Sequence, residues 1–272
     1  MPKKAGSLPC QLRQKAIVEL IEQQSSATVN ELCQKFNVTY TTIRSDLEYL
    51  ERVGLLKRTY GGATQCAEKR APEDPSVYLR ELRHREEKEA IAREAVKYIQ
   101  EGDVIGLDIG TTTYQLAKLL TNFKQLTVVT CDLRIISFLE YNTNVNVIVV
   151  GGLMNRHYHS TSGQPTRDML SMLNVKKFFL SSNGISIHQG ISTTSLEMAS
   201  IKNLMMKSAE EIYLLCDSSK LEKKAVFSFA LLSEIDMLIT DSDASPAFLQ
   251  QAGASGLKIV TVNAKPKIAA RA

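Results

Sequence analysis

The sequence predicts an α/β protein in two parts: an N-terminal domain of three short helices with a β-hairpin, and a larger, mainly parallel α/β domain. Two observations support this prediction. Three short helical patterns and a hairpin pattern fill residues 1–65, and helix-like and apolar strand-like segments alternate through residues 86–272. Residues 66–85 carry Pro72, Pro75 and dense charge with little apolar content, so we expect a linker there.

Composition limits what the two parts can be. The chain has 272 residues, 44% of them hydrophobic, and a net charge of only +4, so it can bury a real core and is mildly basic. We expect no metal site, because His157 and His159 have no cysteine or carboxylate near them in sequence, and no cofactor. We expect a cytoplasmic protein with no membrane partner, because no segment reads as a signal peptide or membrane helix. The scattered cysteines, expected to be reduced, are Cys10, Cys33, Cys66, Cys131 and Cys216.

The first two helical patterns lie before residue 38. In QLRQKAIVELIEQQ the apolar residues recur along one face, which predicts an amphipathic helix over residues 11–24. The next segment, TVNELCQKFN, begins at Thr28 and has Glu31 three residues later. This is the spacing of a capping box, so we expect a short helix that begins at this threonine.

The third helical pattern, TYTTIRSDLEYLERVG, has Ile43, Leu47 and Leu50 on one face. We expect Thr39 to be its N-cap and Gly54 to end it. Hydroxyls and arginines on the opposite face of a short helix that follows another short helix are typical of a helix-turn-helix in the DNA major groove. The residues on or beside that face are Thr41, Arg44, Ser45, Glu48 and Arg52.

The alternative for this region is a three-helix bundle with a solvated polar face. Residues 1–65 hold nine Lys and Arg residues against six Asp and Glu residues, an excess too small to decide the question. The order of elements favours DNA binding, because LLKRTYGGA follows the third helix and predicts a hairpin wing with its turn at Gly61-Gly62. Lys57 and Arg58 would then face DNA phosphates.

The larger domain begins with the helical pattern EEKEAIAREAVKYIQ, followed by seven apolar segments of strand length. This alternation predicts a mainly parallel sheet, and ligands of such sheets bind beyond the carboxyl ends of the strands. The segments lie near residues 104–108, 126–130, 145–150, 177–182, 211–216, 235–240 and 257–262.

The first of these strands leads into VIGLDIGTTTYQL, where a glycine and three threonines precede a helical pattern. Such a turn directs backbone N–H groups and hydroxyls at one point beside the positive end of the helix dipole, which suits an anion. The alternative is an ordinary turn in which Thr111 or Thr112 caps the helix.

Polar residues or glycines follow the first five predicted strands. Any one group could be a plain turn, but together at one edge they predict a ligand pocket. In strand order they are Asp108, Gly110 and the threonines 111–113; Thr130, Cys131 and Asp132; Gly151 and Gly152; Ser181, Ser182, Asn183 and Gly184; and Asp217 and Lys220.

Five motifs in order resemble the DeoR family of bacterial transcriptional regulators. They are TVNELCQKFNVTYTTIRSDLEYLERVGLLKRTYGGA, LDIGTTT, LTVVT, VVGG and CDSSK, and the resemblance runs from about residue 10 to about residue 245. It implies a winged helix-turn-helix domain on double-stranded operator DNA and a sensor domain similar to ribose-5-phosphate isomerase. It also implies a phosphorylated sugar or polyol as effector, and a homodimer or homotetramer on repeated half-sites.

At the positions of Arg44 and Ser45 the family usually has two arginines, and at the position of Tyr60 it usually has a histidine. One DNA contact expected of the family is therefore missing here. With the outward face described above, the resemblance predicts a set of DNA-binding residues. They are Thr28, Thr39, Tyr40, Thr41, Thr42, Arg44, Ser45, Arg52, Lys57, Arg58, Tyr60, Gly61 and Gly62.

In the sensor domain, the resemblance implies that the GTTT loop holds the phosphate, while Asp217 and Lys220 meet the hydroxyl or carbonyl end of the effector. The family normally has asparagine at Cys131. The predicted effector-binding residues are Asp108, Gly110, Thr111, Thr112, Thr113, Thr130, Cys131, Gly151, Gly152, Asn183, Gly184, Glu197, Lys202, Asp217 and Lys220.

Two enzymes could also use such an edge. A sugar kinase has a similar phosphate loop but places it in a hairpin, and no second phosphate loop or adenosine motif follows here. A sugar-phosphate isomerase needs a carboxylate base, and the acidic cluster of the similar isomerases is absent after SSNG. We therefore expect no catalytic residues, and a repressor, with an activator as the alternative, of a carbohydrate or polyol utilisation operon.

Overall fold

A computed structural model describes residues 10–52, 55–65 and 77–264 of the chain. The chain divides into two compact units, Met1–Leu82 and Arg83–Ala272. Gly54, the predicted end of the third helix, and Cys66 lie outside the described residues. Of the segment predicted as linker, residues 66–76 also lie outside them, and Val77–Leu82 forms a helix.

The first unit contains the three predicted helices and the predicted hairpin, together with a short strand that the sequence patterns did not reveal. That strand pairs with the hairpin to give a three-stranded antiparallel sheet of order β1-β3-β2. Ile17, Leu32 and Leu47, one from each helix, are buried in a common core. The elements are α1 (Cys10–Gln24), β1 (Ser26–Thr28), α2 (Val29–Phe36), α3 (Tyr40–Arg52), β2 (Lys57–Thr59), β3 (Gly62–Thr64) and α4 (Val77–Leu82).

The predicted caps of the first unit are present. Thr28 Oγ1 accepts a hydrogen bond from Glu31 N at 3.3 Å, and Glu31 Oε2 accepts one from Thr28 N at 2.7 Å. These two bonds confirm the capping box at the start of α2. Thr39 Oγ1 accepts from Thr42 N at 3.4 Å, as expected of the N-cap of α3.

The second unit is a seven-stranded, wholly parallel sheet with helices, a two-stranded hairpin and a small antiparallel sheet. All seven predicted strands belong to the parallel sheet. The elements are α5 (Arg85–Ala95), β4 (Val104–Leu107), α6 (Thr111–Ala117), β5 (Thr127–Thr130), α7 (Leu133–Asn142), β6 (Asn146–Val149), β7 (Leu153–Asn155), β8 (Ser160–Ser162), α8 (Gln164–Leu170), β9 (Val175–Leu180), β10 (Gly184–Ser186), β11 (Gly190–Thr193), α9 (Leu196–Lys207), β12 (Ala209–Leu215), β13 (Phe227–Ala230), β14 (Met237–Asp241), α10 (Pro246–Ala254) and β15 (Lys258–Val262).

The strand order of the parallel sheet is β15-β14-β12-β9-β4-β5-β6. The chain runs outward from β4 through β5 to β6 and then crosses back to β9 on the other side of β4. This reversal makes the carboxyl ends of β4 and β9 a topological switch point, where sheets of this kind bind ligands. Phe178 and Phe179 of β9 are both fully buried and belong to cores on opposite faces of the sheet, which explains the continuous apolar run.

At the opposite, amino-terminal edge of the sheet, a buried carboxylate joins β4 to β9. Asp103 bonds Lys176 Nζ at 2.8 Å and Lys177 Nζ at 2.7 Å, and it accepts a hydrogen bond from Gln100 N at 3.0 Å. Burial alone would raise the pKa of Asp103, but the two lysines and the backbone N–H outweigh burial and lower this pKa from 3.8 to about 2.

This lowered pKa predicts acid-dependent stability. The contribution of Asp103 is complete above its unfolded pKa and is lost as the pH falls from about 4 towards 2, and it amounts to about 2 kcal/mol. We expect Asp103→Asn to be destabilised at pH 7 and to converge with the wild type at about pH 2 and below in urea unfolding. The control is Asp243→Asn, at an exposed aspartate. A wild-type advantage over Asp103→Asn that persists undiminished at pH 2 would contradict this account.

Candidate functional site

The outer face of α3 is arranged as the sequence predicts. Ile43, Leu47 and Leu50 are buried on its inner side, whereas the polar residues of the opposite side are exposed. The Thr39 hydroxyl bonds those of Thr41 and Thr42 at 2.9 and 2.8 Å, which places a cluster of hydroxyls at the start of the helix. The exposed residues on or beside this face are Thr41, Arg44, Ser45, Glu48 and Arg52.

A buried ion pair, which the sequence patterns did not reveal, holds α3 on α1. Asp46 accepts hydrogen bonds from Arg13 Nε at 2.6 Å and from Gln14 Nε2 at 3.0 Å. The hydrogen bond to Asp46 is the main cause that raises the pKa of the Arg13 guanidinium. Because a buried charge that loses its partner is costly, this pair fixes which side of α3 faces outward.

The wing differs from its prediction by one residue. Thr59 pairs with Gly62, so the turn residues are Tyr60 and Gly61, and the predicted Gly61-Gly62 turn is wrong. Gly62 is buried in β3, where a Cβ atom would lie 2.1 Å from Ala27 O. Tyr60 is fully exposed at the tip. Arg58 N donates to Glu51 Oε1 at 2.8 Å and joins the wing to α3.

Most of the predicted DNA-binding residues are therefore accessible, and Gly62 is the exception. Thr28 and Thr39 serve as helix caps while remaining exposed. The residues that are exposed or half-exposed are Thr28, Thr39, Tyr40, Thr41, Thr42, Arg44, Ser45, Arg52, Lys57, Arg58, Tyr60 and Gly61.

The two adjacent glycines of the wing provide a matched test. We expect Gly62→Ala to lower the free energy of unfolding by about 1–3 kcal/mol and to weaken DNA binding, because the added methyl group overlaps β1. Gly61→Ala should change stability by less than about 0.5 kcal/mol, since nothing lies within 4 Å of its Cβ position. Thermal unfolding of both variants checks this, and equal stabilities would contradict the described packing of β3 on β1.

In the second unit, a buried polar cluster occupies the switch point. Asp108, directly after β4, accepts hydrogen bonds at Oδ2 from Ser181 N at 2.8 Å, from Ser181 Oγ at 2.7 Å and from Lys202 Nζ. Lys202 also donates to Ser181 O at 3.1 Å. All three side chains are buried. The structure thus brings together Asp108 and Lys202 of the predicted set, with Ser181 between them.

The GTTT loop begins α6, and its cap is not a threonine. Gly110 is the N-cap, no side chain caps the helix, and the alternative with Thr111 or Thr112 as N-cap is wrong. The Thr113 hydroxyl donates to Asp108 O at 2.8 Å and to Gly110 O at 3.0 Å. A Cβ atom on Gly110 would lie 2.5 Å from Ser181 Oγ, so the glycine allows the loop to approach β9 closely.

Asp217 and Lys220 form a second polar pair at this edge, after β12. Asp217 is buried, with Lys220 Nζ 3.5 Å from its Oδ2 atom. Burial alone would raise the pKa of Asp217, but Lys220, Lys88 and the hydrogen bond from Ser219 lower it to about 2. Lys88, a buried cation at the start of α5, was missed because its charged neighbours in sequence predict an exposed helix.

Several other residues of the predicted effector set have bonds within the protein. The Thr130 hydroxyl donates to Leu107 O at 2.8 Å, and Thr193 donates to Asn183 Oδ1 at 2.9 Å. Cys131 lies in the core, where burial, followed by the charges of Asp108 and Asp132, raises the pKa of its thiol. These contacts give each side chain a structural role at the edge.

The remaining predicted residues lie around the β7–β8 hairpin and β10. Glu197 accepts from Gly163 N at 2.7 Å and from Arg167 Nη1 at 2.8 Å, so it ties the end of the hairpin to α9. Gly152 has a φ of +153°, and a Cβ atom added to it would collide with Thr166. A Cβ atom on Gly151 would meet open space. A Cβ on Gly184 would lie 2.6 Å from Lys223 O.

Within the described part of the chain, no cluster of three or more His, Cys, Asp or Glu residues is arranged to bind a metal ion. No helix among the same residues is long and apolar enough to cross a membrane.

A helix-turn-helix head with a wing, together with a parallel sheet that carries a buried polar edge, defines a DNA-binding regulator with an α/β sensor domain. Residues 13–69 match the family described as DeoR-like helix-turn-helix domain, and residues 83–242 match the DeoR C terminal sensor domain. The chain belongs to the DeoR family and is a DNA-binding transcriptional regulator.

Curated relatives resemble the chain over most of its length. The uncharacterized HTH-type transcriptional regulator YulB of Bacillus subtilis is 36% identical over 92% of this chain and 96% of its own. The L-fucose operon activator of Haemophilus influenzae is 34% identical over 84% and 91%. The putative aga operon transcriptional repressor of Escherichia coli O157:H7 is 29% identical over 92% and 93%.

Solved structures similar to the chain include ribose 5-phosphate isomerase A from Methanocaldococcus jannaschii. It is 17% identical, the match covers 51% of this chain and 55% of that one, and the TM-score is 0.39. A likeness of this strength is too weak to support any conclusion about activity.

Proposed function

We propose that the protein controls a carbohydrate or polyol utilisation operon and leaves its operator when a phosphorylated sugar or polyol binds the sheet edge between β4 and β9. The observation that carries this proposal is the position of the GTTT loop, which lies against Ser181 at the switch point between β4 and β9. Relatives named for the L-fucose and aga operons support the control of a carbohydrate utilisation operon. We expect the protein to repress transcription. Because one relative is named as an activator, activation is the alternative that the experiment must test.

In this proposal, α3 enters the major groove and the wing contacts the phosphate backbone. Arg44 and the hydroxyls at the start of α3 read base edges, and Lys57 with Arg58 neutralises phosphates. A single small head buries little DNA surface, so the protein acts as a homodimer or homotetramer on repeated half-sites.

At the sensor edge, the GTTT loop receives the phosphate. The first N–H groups of α6 have no acceptor within the helix, and they point towards the same place as the positive end of its dipole. Lys220 and Asp217 face the hydroxyl or carbonyl end of the sugar. Effector binding weakens DNA binding only by as much as the effector prefers the conformation with low DNA affinity.

The experiment that tests the function uses DNA upstream of this gene and of the genes beside it. Gel shifts identify the bound fragment, and release is then measured with fructose 6-phosphate, galactose 6-phosphate, ribose 5-phosphate and glycerol 3-phosphate. Unphosphorylated sugars are the control. If operator binding is specific but no phosphorylated sugar or polyol releases it, the effector part of the proposal is wrong.

A sugar-phosphate isomerase remains the alternative. Its support is the pair of Asp108 and Lys202, because an isomerase needs a base. The Asp108 carboxylate, however, already accepts bonds from both Lys202 and Ser181, so it is held as a structural acceptor. Sustained turnover of pentose or hexose phosphates that Asp108→Asn or Asp217→Asn abolishes would favour the enzyme.

Two basic residues of the head should differ in their effects. Arg44→Ala should cost about 1–3 kcal/mol in operator binding and relax specificity, whereas Lys57→Ala should weaken all DNA about equally and reduce the salt dependence. Lys124→Ala, at an exposed lysine of the sensor domain, is the control. Gel shifts over a salt series measure these effects. Unchanged binding in both head variants would show that neither Arg44 nor Lys57 contacts DNA.

A negative charge in the GTTT loop should block release without blocking DNA binding. Thr111→Glu places a carboxylate where the phosphate must sit, and the two anions repel each other at close range. We expect normal operator binding and no release by sugar phosphate, with a cooperative thermal unfolding transition that reports a folded sensor domain, while Lys220→Ala gives a milder defect. Thr121→Glu, the same change at an exposed threonine, is the control. A wild-type response of Thr111→Glu would place the phosphate elsewhere.

A further inference from the structure

Three residues, one in the GTTT loop, one in α7 and one on β8, have buried polar atoms without a hydrogen-bond partner among the described residues. These atoms are the hydroxyl oxygens of Thr112 and Ser160 and the Nη1 atom of Arg134. Thr112 and Ser160 are fully buried. Buried polar groups are nearly always bonded, so a group of orphaned donors in one region requires an explanation. All three can donate hydrogen bonds.

Arg134 connects this group to the loop. Its Nη2 atom donates to Asp132 Oδ2 at 2.5 Å and lies 3.4 Å from Gly110 O, and its Nε atom donates to Asp132 Oδ1 at 3.2 Å. The guanidinium therefore lies beside the N-cap residue of α6. Since two of its nitrogens are already committed, Nη1 can bind an added group without breaking the ion pair with Asp132.

Ser160 comes to the same region from β8. Thr161 N donates to Cys131 O at 3.0 Å and Leu133 N donates to His159 O at 2.8 Å, which makes Asp132 and Ser160 directly opposed partners in an antiparallel bridge. In such a non-hydrogen-bonded pair the side chains point to one face, with Cβ atoms about 4.5–5.5 Å apart. The orphaned hydroxyl of Ser160 thus lies beside the Asp132–Arg134 ion pair.

We propose that Arg134 and Ser160 complete the phosphate subsite of the effector, together with Thr112. A guanidinium and two hydroxyls form a set of donors that matches the oxygens of a phosphate. Asp132 does not oppose this role, because Arg134 and the N–H groups at the start of α7 already occupy its oxygens. The proposal rests on the proposed function and adds residues that neither the sequence patterns nor the resemblance indicated.

The three donor atoms are covered by protein, so a ligand reaches them only after a local rearrangement of the residues that cover them.

The test uses the full chain with inorganic phosphate and fructose 6-phosphate as probes, measured by thermal shift and calorimetry. Ser160→Ala should bind both probes about tenfold more weakly, yet its melting temperature without ligand should not fall, because the variant removes a buried hydroxyl that has no partner. Arg134→Lys keeps the charge but loses the free nitrogen, and should also weaken binding about tenfold. The control is Ser162→Ala, whose hydroxyl donates to Leu153 O within the hairpin, and it should bind like the wild type.

Unchanged phosphate binding in Ser160→Ala and Arg134→Lys would overturn the proposal, as would a wild type that inorganic phosphate does not stabilise at all. The proposed function has a separate readout. If a sugar phosphate releases operator from the wild type and from both variants equally, the function stands and the assignment of these residues fails. If no phosphorylated ligand releases the wild type, the effector proposal itself fails.

Discussion

The buried contact of Asp108 with Ser181 and Lys202 determines how the sensor domain is organised at the carboxyl edge of its parallel sheet. Asp108 follows β4, Ser181 follows β9, and Lys202 comes from α9, so one carboxylate joins the ends of both strands at the switch point to this helix. A buried charge without its partner would be strongly destabilising. The contact therefore holds together the turns that follow β4 and β9, beyond the end of their backbone ladder, and the close approach of Gly110 to Ser181 depends on it.

The fold was predictable because its main signals are local. Each parallel strand is an apolar run buried on both faces, as Phe178 and Phe179 illustrate, and the capping box of α2 depends on two residues three positions apart. Strand β1 was missed because its three residues are too few for a pattern. The error at Gly62 has the same origin: only the distant backbone of Ala27 shows that this glycine is required for packing rather than for the turn.

The candidate site was only partly predictable, since its long-range pairs leave no trace in local spacing. Polar residues at strand ends correctly indicated Asp108 and Asp217 as members of one edge. The partner of Glu197 is Arg167, thirty residues away in sequence, so its predicted contact with the effector has a structural alternative that no motif reveals. Arg134 follows a strand end by only a few residues, but its position beside Gly110 depends on the course of α7.

A sensor and an enzyme make opposite use of such an edge. An enzyme gains from charged groups that are already placed for the transition state and free to act. Here the carboxylates of Asp108, Asp132 and Asp217 are already paired with Lys202, Arg134 and Lys220. Thr112, Ser160 and Arg134, in contrast, carry buried atoms that can donate and have no partner among the described residues. Such donors can bind an anion, whereas a carboxylate held by a cation is a poor base for moving a proton between carbons. A ligand that bonds to buried donors stabilises the conformation in which the donors contact it. The difference in its binding free energy between the two conformations sets how far an effector can change the affinity for DNA.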